Sequence, residues 1–189
     1  MEIFFSFIAK SSIPTLIVIA WLAVYLFITL WIFIYKNFSL NDWLGEENRN
    51  LEILIENPHI LPQNKILRVI TQSYDTSKLD SHILAIWKTR ALQHATKGLV
   101  ILSIIASTAP FIGLFGTVVE ILEAFSHLSG GGVSFDIIAP IISKALVATA
   151  CGILTAIPAY SFYLLLKRKS YNLGVCIQMQ INLILSARQ

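Results

Sequence analysis

"IIAPIISKALVATACGILTAIPAYSFYLLL", residues 137–166, carries a single charged side chain, Lys144. A helix needs about 20 consecutive apolar residues to span a bilayer. The stretch is therefore long enough to cross a membrane, and its composition decides the fold class. Lys144 is the exception that needs an explanation, because an ionisable group in lipid is costly and usually finds a partner or faces a bundle interior.

Two further stretches of the chain are comparably apolar. Residues 13–35 and 98–119 contain no charged side chain. The chain of 189 residues is 56% hydrophobic and 13% charged, whereas soluble domains carry about 25% charged residues. We therefore predict an all-α membrane protein with transmembrane helices at 13–35, 98–122 and 137–166.

Lysine and arginine are distributed unevenly among the segments that connect these helices. They are frequent in residues 36–97 and open the segment 167–189, but they are missing from residues 123–136. Basic residues favour the cytoplasmic side of a bilayer. The pattern predicts a short periplasmic N-terminus (1–12), a long cytoplasmic helical loop (36–97), a periplasmic glycine-rich turn (123–136) and a cytoplasmic C-terminal tail (167–189).

Several other classes of function lack the residues that they need. The four histidines show no metal-ligand spacing, and the chain has neither a phosphate-binding glycine loop nor a nucleophile with a base in register. We expect no enzyme activity, no metal and no cofactor. Cys151 and Cys176 are predicted to be reduced, structural thiols. The net charge of +3 reflects topology, because no basic patch with interleaved aromatic residues indicates nucleic-acid binding.

The loop 36–97 is predicted to be helical, with breaks at Pro58 and Pro62. Its last part is predicted to be a helix that continues straight into the second span. An approximately regular apolar face on this helix is formed by Leu79, Ile83, Ile86 and Leu92. Two uses of that face stay open: contact with a neighbouring subunit, or cover over the chain's own loop.

The second and third spans each carry one face of small and polar residues. In the second span, steps of three and four residues connect Ser103, Ala106, Pro110, Gly113, Thr117 and Glu120. In the third span, the same steps connect Ala145, Thr149, Gly152, Ala156 and Ala159. Helices in lipid associate through such faces because their backbones can approach closely. The predicted packing positions are Pro110, Gly113, Gly116, Ala145, Gly152 and Ala156.

Packing alone does not explain why four polar residues lie at similar heights along the two helices: Thr117, Glu120, Lys144 and Thr149. If the two helices are antiparallel with the threonines level, Glu120 lies about 4.5 Å and Lys144 about 7.5 Å further outward. The opposite charges then come within side-chain reach, and pairing would keep both in the membrane. The alternative is that both reach the outer interface separately. Lys144 and Thr149 lie about 140° apart around their helix, so they do not face one axis together.

These two spans strongly resemble a known family. The stretches "APFIGLFGTVVEILEAF" (109–125) and "IAPIISKALVATACGILTAIPAY" (138–160) are similar to the second and third membrane helices of the ExbB/TolQ family. Its members are stator subunits of the bacterial inner membrane and distant relatives of the flagellar protein MotA. Two motifs in the right order on the right spans make the resemblance specific, and the three-span topology extends it over the chain.

The resemblance implies an architecture and a function. Family members form a homopentamer whose second and third helices line a pore, and a single-span partner, ExbD or TolR, places its helix there. The partner's membrane aspartate carries protons, and the resulting motion energises TonB, for import across the outer membrane, or TolA, for envelope integrity and division. By this resemblance, Thr117 and Thr149 are the pore-facing hydroxyls.

The chain departs from the family pattern at two positions. Lys144 stands where the family usually has glutamate, and "VVEI" places Glu120 where the family usually has "VWGI". We interpret the two residues as an exchanged ion pair in the pore wall, so the proton role of the family's glutamate is not transferred to Lys144. Two other functions stay open: a non-conducting scaffold for a single-span partner, and a MotA-like stator, although MotA has four spans. The residues do not distinguish the TonB branch from the TolA branch.

Overall fold

The computed structural model describes residues 13–57, 62, 64, 66–68, 81–127 and 135–187, and these are almost entirely helical, with no strand among them. The long helices are α1 (Ile13–Glu56), α2 (Ser81–Thr96), α3 (Leu99–His127) and α4 (Phe135–Ser186). Helices α1, α3 and α4 are long and apolar enough to cross a membrane. The predicted all-α membrane fold with three spanning helices is confirmed.

Helices α1 and α4 extend well beyond the apolar stretches that predicted them. Helix α1 continues from the first apolar stretch to Glu56, two residues before Pro58 in the sequence. Helix α4 continues from the third apolar stretch to Ser186. Long helical extensions are therefore present, as predicted. The predicted periplasmic N-terminus, 1–12, and most of the glycine-rich turn, 128–134, lie outside the described residues.

The helices contribute to two compact units. The span unit comprises Met1–Ile32 and Ile101–Tyr163, and the loop–tail unit comprises Phe33–Val100 and Leu164–Gln189. In the span unit, Val18 and Leu22 of α1 form a buried cluster with Ala109 and Ala156. The two alanines leave room for the branched side chains of α1. Large apolar side chains elsewhere on these helices, such as Phe111, are exposed in the single chain, as expected for a surface that meets lipid or other membrane helices.

In the loop–tail unit, buried residues recur along the helices at the spacing expected for packed helices. Residues buried along α4 follow one another in steps of four and three: Leu166, Ser170, Leu173, Ile177, Gln180 and Ile184. The buried residues of α2 are Leu84, Trp87, Ala91 and Ala95. The predicted apolar face of α2 was therefore offset, since Ile83, Ile86 and Leu92 are only half-buried and Leu79 lies outside the described residues. The buried face packs within the chain, and the use of the predicted stripe stays open.

A glycine separates α2 from the second spanning helix. Helix α2 ends at Thr96, residues 97 and 98 form a turn, and α3 begins at Leu99. Gly98 has a φ of 94°, in the left-handed region that commonly ends helices and that glycine adopts without steric cost. The prediction of one helix running straight into the second span was therefore wrong.

Candidate functional site

Two glycines set the approach of α3 to α4 in the span unit. A Cβ atom added to Gly113 would lie 2.7 Å from the carbonyl oxygen of Ala148 and 3.1 Å from Cα of Gly152. A Cβ atom added to Gly152 would lie 2.6 Å from the carbonyl oxygen of Ala109 and 3.1 Å from Cα of Gly113. The backbones of α3 and α4 are in direct contact here, so any residue larger than glycine would force the two helices apart.

The neighbouring small residues continue this contact. A Cβ atom on Gly116 would lie 3.1 Å from both Cβ of Ala148 and Cγ1 of Val18, so this glycine faces α4 and α1 together. Ala145 and Ala156 are buried, whereas Pro110 is half-buried. The structure thus places the glycines and alanines of the predicted packing set inside one chain. Their contribution to contacts between chains stays a prediction.

The glycine contacts also fix which residues of α3 and α4 lie opposite each other. In antiparallel helices, a step forward on one helix matches a step backward on the other. Gly113 faces Gly152 and Gly116 faces Ala148, and the same register places Glu120 level with Lys144. The two charges are therefore closer in height than the sequence-based alignment of the threonines predicted, by about 3 Å at 1.5 Å per residue.

Glu120 lies at a junction of three helices. It is only 6% exposed. Thr15 of α1 hydrogen-bonds to its side chain, Lys144 of α4 is close enough to attract it, and Glu123 on the next turn of α3 is close enough to repel it. Among the described residues, Oε2 of Glu120 and Oε2 of Glu123 have no hydrogen-bond partner. The junction therefore contains a buried carboxylate with one oxygen left to accept a proton or a hydrogen bond.

The two predicted pore threonines occupy different environments. Thr117 is 7% exposed, and its Oγ1 donates a 2.7 Å hydrogen bond to the carbonyl oxygen of Leu114. Thr149 is half-buried, and its Cα lies 3.1 Å from the Cβ position of Gly113. Thr117 and Glu120 thus lie in the interior of one chain, and Thr149 lies at the edge of the glycine contact.

Sequence reasoning did not identify Thr15. It lies near the N-terminal end of the first apolar stretch, in "IPTLIV", and its hydroxyl was the available signal. A hydroxyl in an otherwise apolar segment predicts a hydrogen bond, but only the packing of α1 on α3 shows that the acceptor is Glu120.

A second buried carboxylate was also missed. Glu47 of α1, in the loop–tail unit, is 0% exposed. Its Oε1 accepts hydrogen bonds from Nε1 of Trp43, at 3.0 Å, and from Nδ2 of Asn64, and its Oε2 accepts one from Nε2 of Gln180 at 2.9 Å. Neutral donors therefore surround the carboxylate. The heptad spacing of Leu40, Glu47 and Leu54, with both leucines buried, was the signal that could have found it.

Comparison with known proteins identifies a family. The model of the MotA/TolQ/ExbB proton channel family matches residues 60–179, which include the glycine contacts, Glu120 and Lys144. Over 183 residues, covering 96% of both chains, the protein is 49% identical to ExbB-like 1 of Helicobacter pylori, by name a biopolymer transport protein.

Two further relatives match over shorter segments. The Tol-Pal system protein TolQ of Haemophilus influenzae is 49% identical over 63 residues, which cover 33% of this chain and 28% of TolQ. The biopolymer transport protein ExbB of Neisseria gonorrhoeae is 47% identical over 72 residues, which cover 38% of this chain and 33% of ExbB. The similarity to ExbB-like 1 therefore extends along nearly the whole chain, whereas these two similarities are partial.

Proposed function

The chain belongs to the MotA/TolQ/ExbB proton channel family, and we propose that it is the proton-channel stator subunit of an energy-transducing complex in the bacterial inner membrane. The observation that carries the proposal is the junction around Glu120, where a carboxylate, a hydroxyl and an ammonium group meet on apolar helices. Ionisable groups within spanning helices are rare and mark ion pathways and proton relays.

Glu120 and the two predicted pore threonines have the chemistry that proton movement requires. The carboxylate of Glu120 can bind and release a proton, and the hydroxyls of Thr117 and Thr149 can both donate and accept hydrogen bonds. In the proposed complex, helices α3 and α4 of five copies line a pore, and Thr117 and Glu120 lie behind its surface, between the helices of each chain. An ExbD/TolR-type single-span partner then carries a membrane carboxylate past these groups.

We also propose that Glu120 and Lys144 form an ion pair. Their level positions on antiparallel helices support the pair, as does the electrostatic attraction between them. A paired lysine lowers the cost of holding the carboxylate in the membrane. In this arrangement Lys144 balances the charge of the pore wall, and Glu120 is the group that handles protons.

Of the two branches of the family, import through TonB is the one we propose. The support comes from the relative that matches nearly the whole chain, since it is by name an ExbB-like biopolymer transport protein. The match to TolQ covers only 33% of this chain. The alternative is that the complex energises TolA. Identification of the periplasmic protein that co-purifies with the native complex decides between TonB and TolA.

Proton flux tests the proposed function. The complex of this chain with its single-span partner is reconstituted into vesicles that contain a pH-sensitive dye. We expect partner-dependent acidification under an imposed gradient, and we expect Thr117→Val combined with Thr149→Val to reduce it to the leak of protein-free vesicles while the complex stays intact. Valine keeps the shape of threonine and removes the hydroxyl.

Thr155 supplies the matched control. It is 4% exposed, and its Oγ1 donates to the carbonyl oxygen of Cys151, so it resembles Thr117 in burial and bonding but lies outside the predicted proton path. Thr155→Val should keep the flux. Retention of the partner without any flux in the unmodified complex would instead identify the chain as a non-conducting scaffold. A MotA-like flagellar role is less consistent with the three spanning helices of the described residues.

A further inference from the structure

Cations from α1, from α4 and from the turn after α2 lie at one level of the loop–tail unit. Lys36 of α1 is only 8% exposed, and its Nζ donates a 2.9 Å hydrogen bond to the carbonyl oxygen of His94, near the end of α2. Lys97, in the turn that follows α2, is exposed and close enough to Lys36 for their charges to repel. The buried ammonium group of Lys36 therefore lies beside a second cation, Lys97.

The basic segment of α4 lies at the same level. Nζ of Lys169 donates to Oδ1 of Asn37 at 2.8 Å, one residue along α1 from Lys36. Ser170 donates to the carbonyl oxygen of Ala95 at 3.3 Å. These contacts place residues 167–169 at the level of Lys36 on α1 and of the turn that contains Lys97. We call Lys36, Lys97, Lys167, Arg168 and Lys169 the basic collar.

Two of the three segments that carry the basic collar contain no carboxylate over long ranges, whereas the first carboxylate of α1 is Asp42, six residues beyond Lys36. No aspartate or glutamate occurs from residue 81 to residue 119, or anywhere in the chain after Asp136. Carboxylates from residues 81–119 and 137–189 therefore cannot balance the collar. At physiological salt, the electrostatic effect of its charges reaches over about 8–10 Å.

The collar also borders the apolar stretches of all three spanning helices. In the sequence, Lys36 follows Tyr35, Lys97 precedes the stretch that begins at Gly98, and Lys167 follows Leu166. Lipid headgroups lie at the ends of such stretches. Tyr35 is 70% exposed, as is typical of aromatic residues at the level of the headgroups.

We propose that the basic collar binds the headgroups of anionic phospholipids. Its exposed members, Lys97, Lys167 and Arg168, contact the headgroup phosphates, and the buried Lys36 adds to the positive potential from within. A lipid is favoured over an acidic protein segment because the cations follow the edge of the apolar stretches on every spanning helix. Clusters of basic residues directly beside spanning helices attract anionic lipids in this way.

The test measures lipid preference at the protein surface. The full complex is reconstituted into phosphatidylcholine vesicles with spin-labelled phosphatidylglycerol or spin-labelled phosphatidylcholine, and electron paramagnetic resonance gives the ratio of their association constants. We expect a preference for phosphatidylglycerol of about fivefold for each cation that contacts a headgroup, and we expect it to fall as salt is raised. The triple variant Lys97→Gln, Lys167→Gln and Arg168→Gln should bring the ratio close to one.

A second triple variant removes the same charge elsewhere in the loop–tail unit. Arg49, Lys88 and Arg90 lie outside the collar, so Arg49→Gln, Lys88→Gln and Arg90→Gln should keep most of the preference. A ratio of one for the unmodified complex, or equal losses in the two triple variants, would overturn the proposal. The proposal also fails if the collar variant keeps its lipid preference but loses an acidic protein partner. The salt dependence of the unmodified complex provides a test that does not require any variant to fold.

Discussion

At the residue scale, the decisive question is how Glu120 and Lys144 depend on each other. If they pair in a poorly hydrated wall, neutralising one leaves the other as an uncompensated charge, which costs about 3–5 kcal/mol. We expect Glu120→Ala and Lys144→Ala each to lower the melting temperature of the purified complex. The exchange Glu120→Lys with Lys144→Glu should recover much of the loss, because it restores opposite charges at level positions.

Glu123 provides the control for this prediction. It lies on the same helix and repels Glu120, so Glu123→Ala should leave the melting temperature unchanged or raise it. Losses that simply add in the exchanged variant would show that Glu120 and Lys144 act separately, each reaching the interface on its own. In that case, Glu120 alone would remain the candidate for proton handling.

Glu47 shows what a buried carboxylate does when neutral donors surround it. Glu47→Ala removes the acceptor shared by Trp43, Asn64 and Gln180. Leaving a buried donor unsatisfied costs about 1–3 kcal/mol, so we expect marked destabilisation of the loop–tail unit. Limited proteolysis between Asn57 and Arg68 should detect it, because Asn64 is one of the residues released.

The adjacent Glu46 is exposed and serves as the control for Glu47. Glu46→Ala changes the same charge on the same turn of α1, and it should change stability by less than about 0.5 kcal/mol. Equal proteolytic sensitivity of the two variants would mean that the hydrogen bonds of Glu47 contribute little to holding this segment.

The glycines of α1 and α3–α4 differ in how much space a Cβ atom would find. A Cβ atom at Gly113 or Gly152 meets backbone at 2.6–2.7 Å, one at Gly116 meets side chains at 3.1 Å, and one at Gly45 of α1 meets nothing within 4 Å. We expect Gly113→Ala and Gly152→Ala to destabilise the complex by about 1–3 kcal/mol or more. The loss for Gly116→Ala should be smaller.

Gly45→Ala is the control. Alanine is more favourable than glycine in a helix by about 1 kcal/mol, so this substitution should leave stability unchanged or increase it. Leucine at Gly113 or Gly152 should abolish the assembled complex on a native gel while the chain still inserts into the membrane. An unchanged oligomer in these leucine variants would argue against the small-residue faces as determinants of assembly.

Apolar length was enough to predict the three spanning helices, and small-residue spacing indicated the faces on which α3 and α4 approach, because both are properties of single helices. The turn at Gly98 was missed because the apolar and helix-forming residues on its two sides mask a single glycine. The face of α2 was offset because its large residue, Trp87, and its alanines lie on the buried side together. Thr15 and Glu47 were missed for another reason: each has a hydrogen-bond partner far away in the sequence, Glu120 and Gln180 respectively, and only the packed structure brings these partners together.

At the scale of the whole molecule, the orientation of the chain in the membrane is the remaining prediction. The basic residues of segments 36–97 and 167–189 predict that these parts face the cytoplasm, and the absence of basic residues in 123–136 predicts a periplasmic turn. The anionic leaflet that the basic collar would then meet is the cytoplasmic one.

Cysteine labelling in cells tests this orientation. After Cys151 and Cys176 are replaced by alanine, Gly131→Cys should react with a membrane-impermeant maleimide in cells whose outer membrane has been opened. Arg49→Cys, at an exposed position of α1, should react only after the inner membrane is broken. The reverse pattern would place the glycine-rich turn in the cytoplasm. The loop–tail unit would then face the periplasm, where a stator of this family could not present its pore to the partner in the required direction, and the proposed function would fail with the topology.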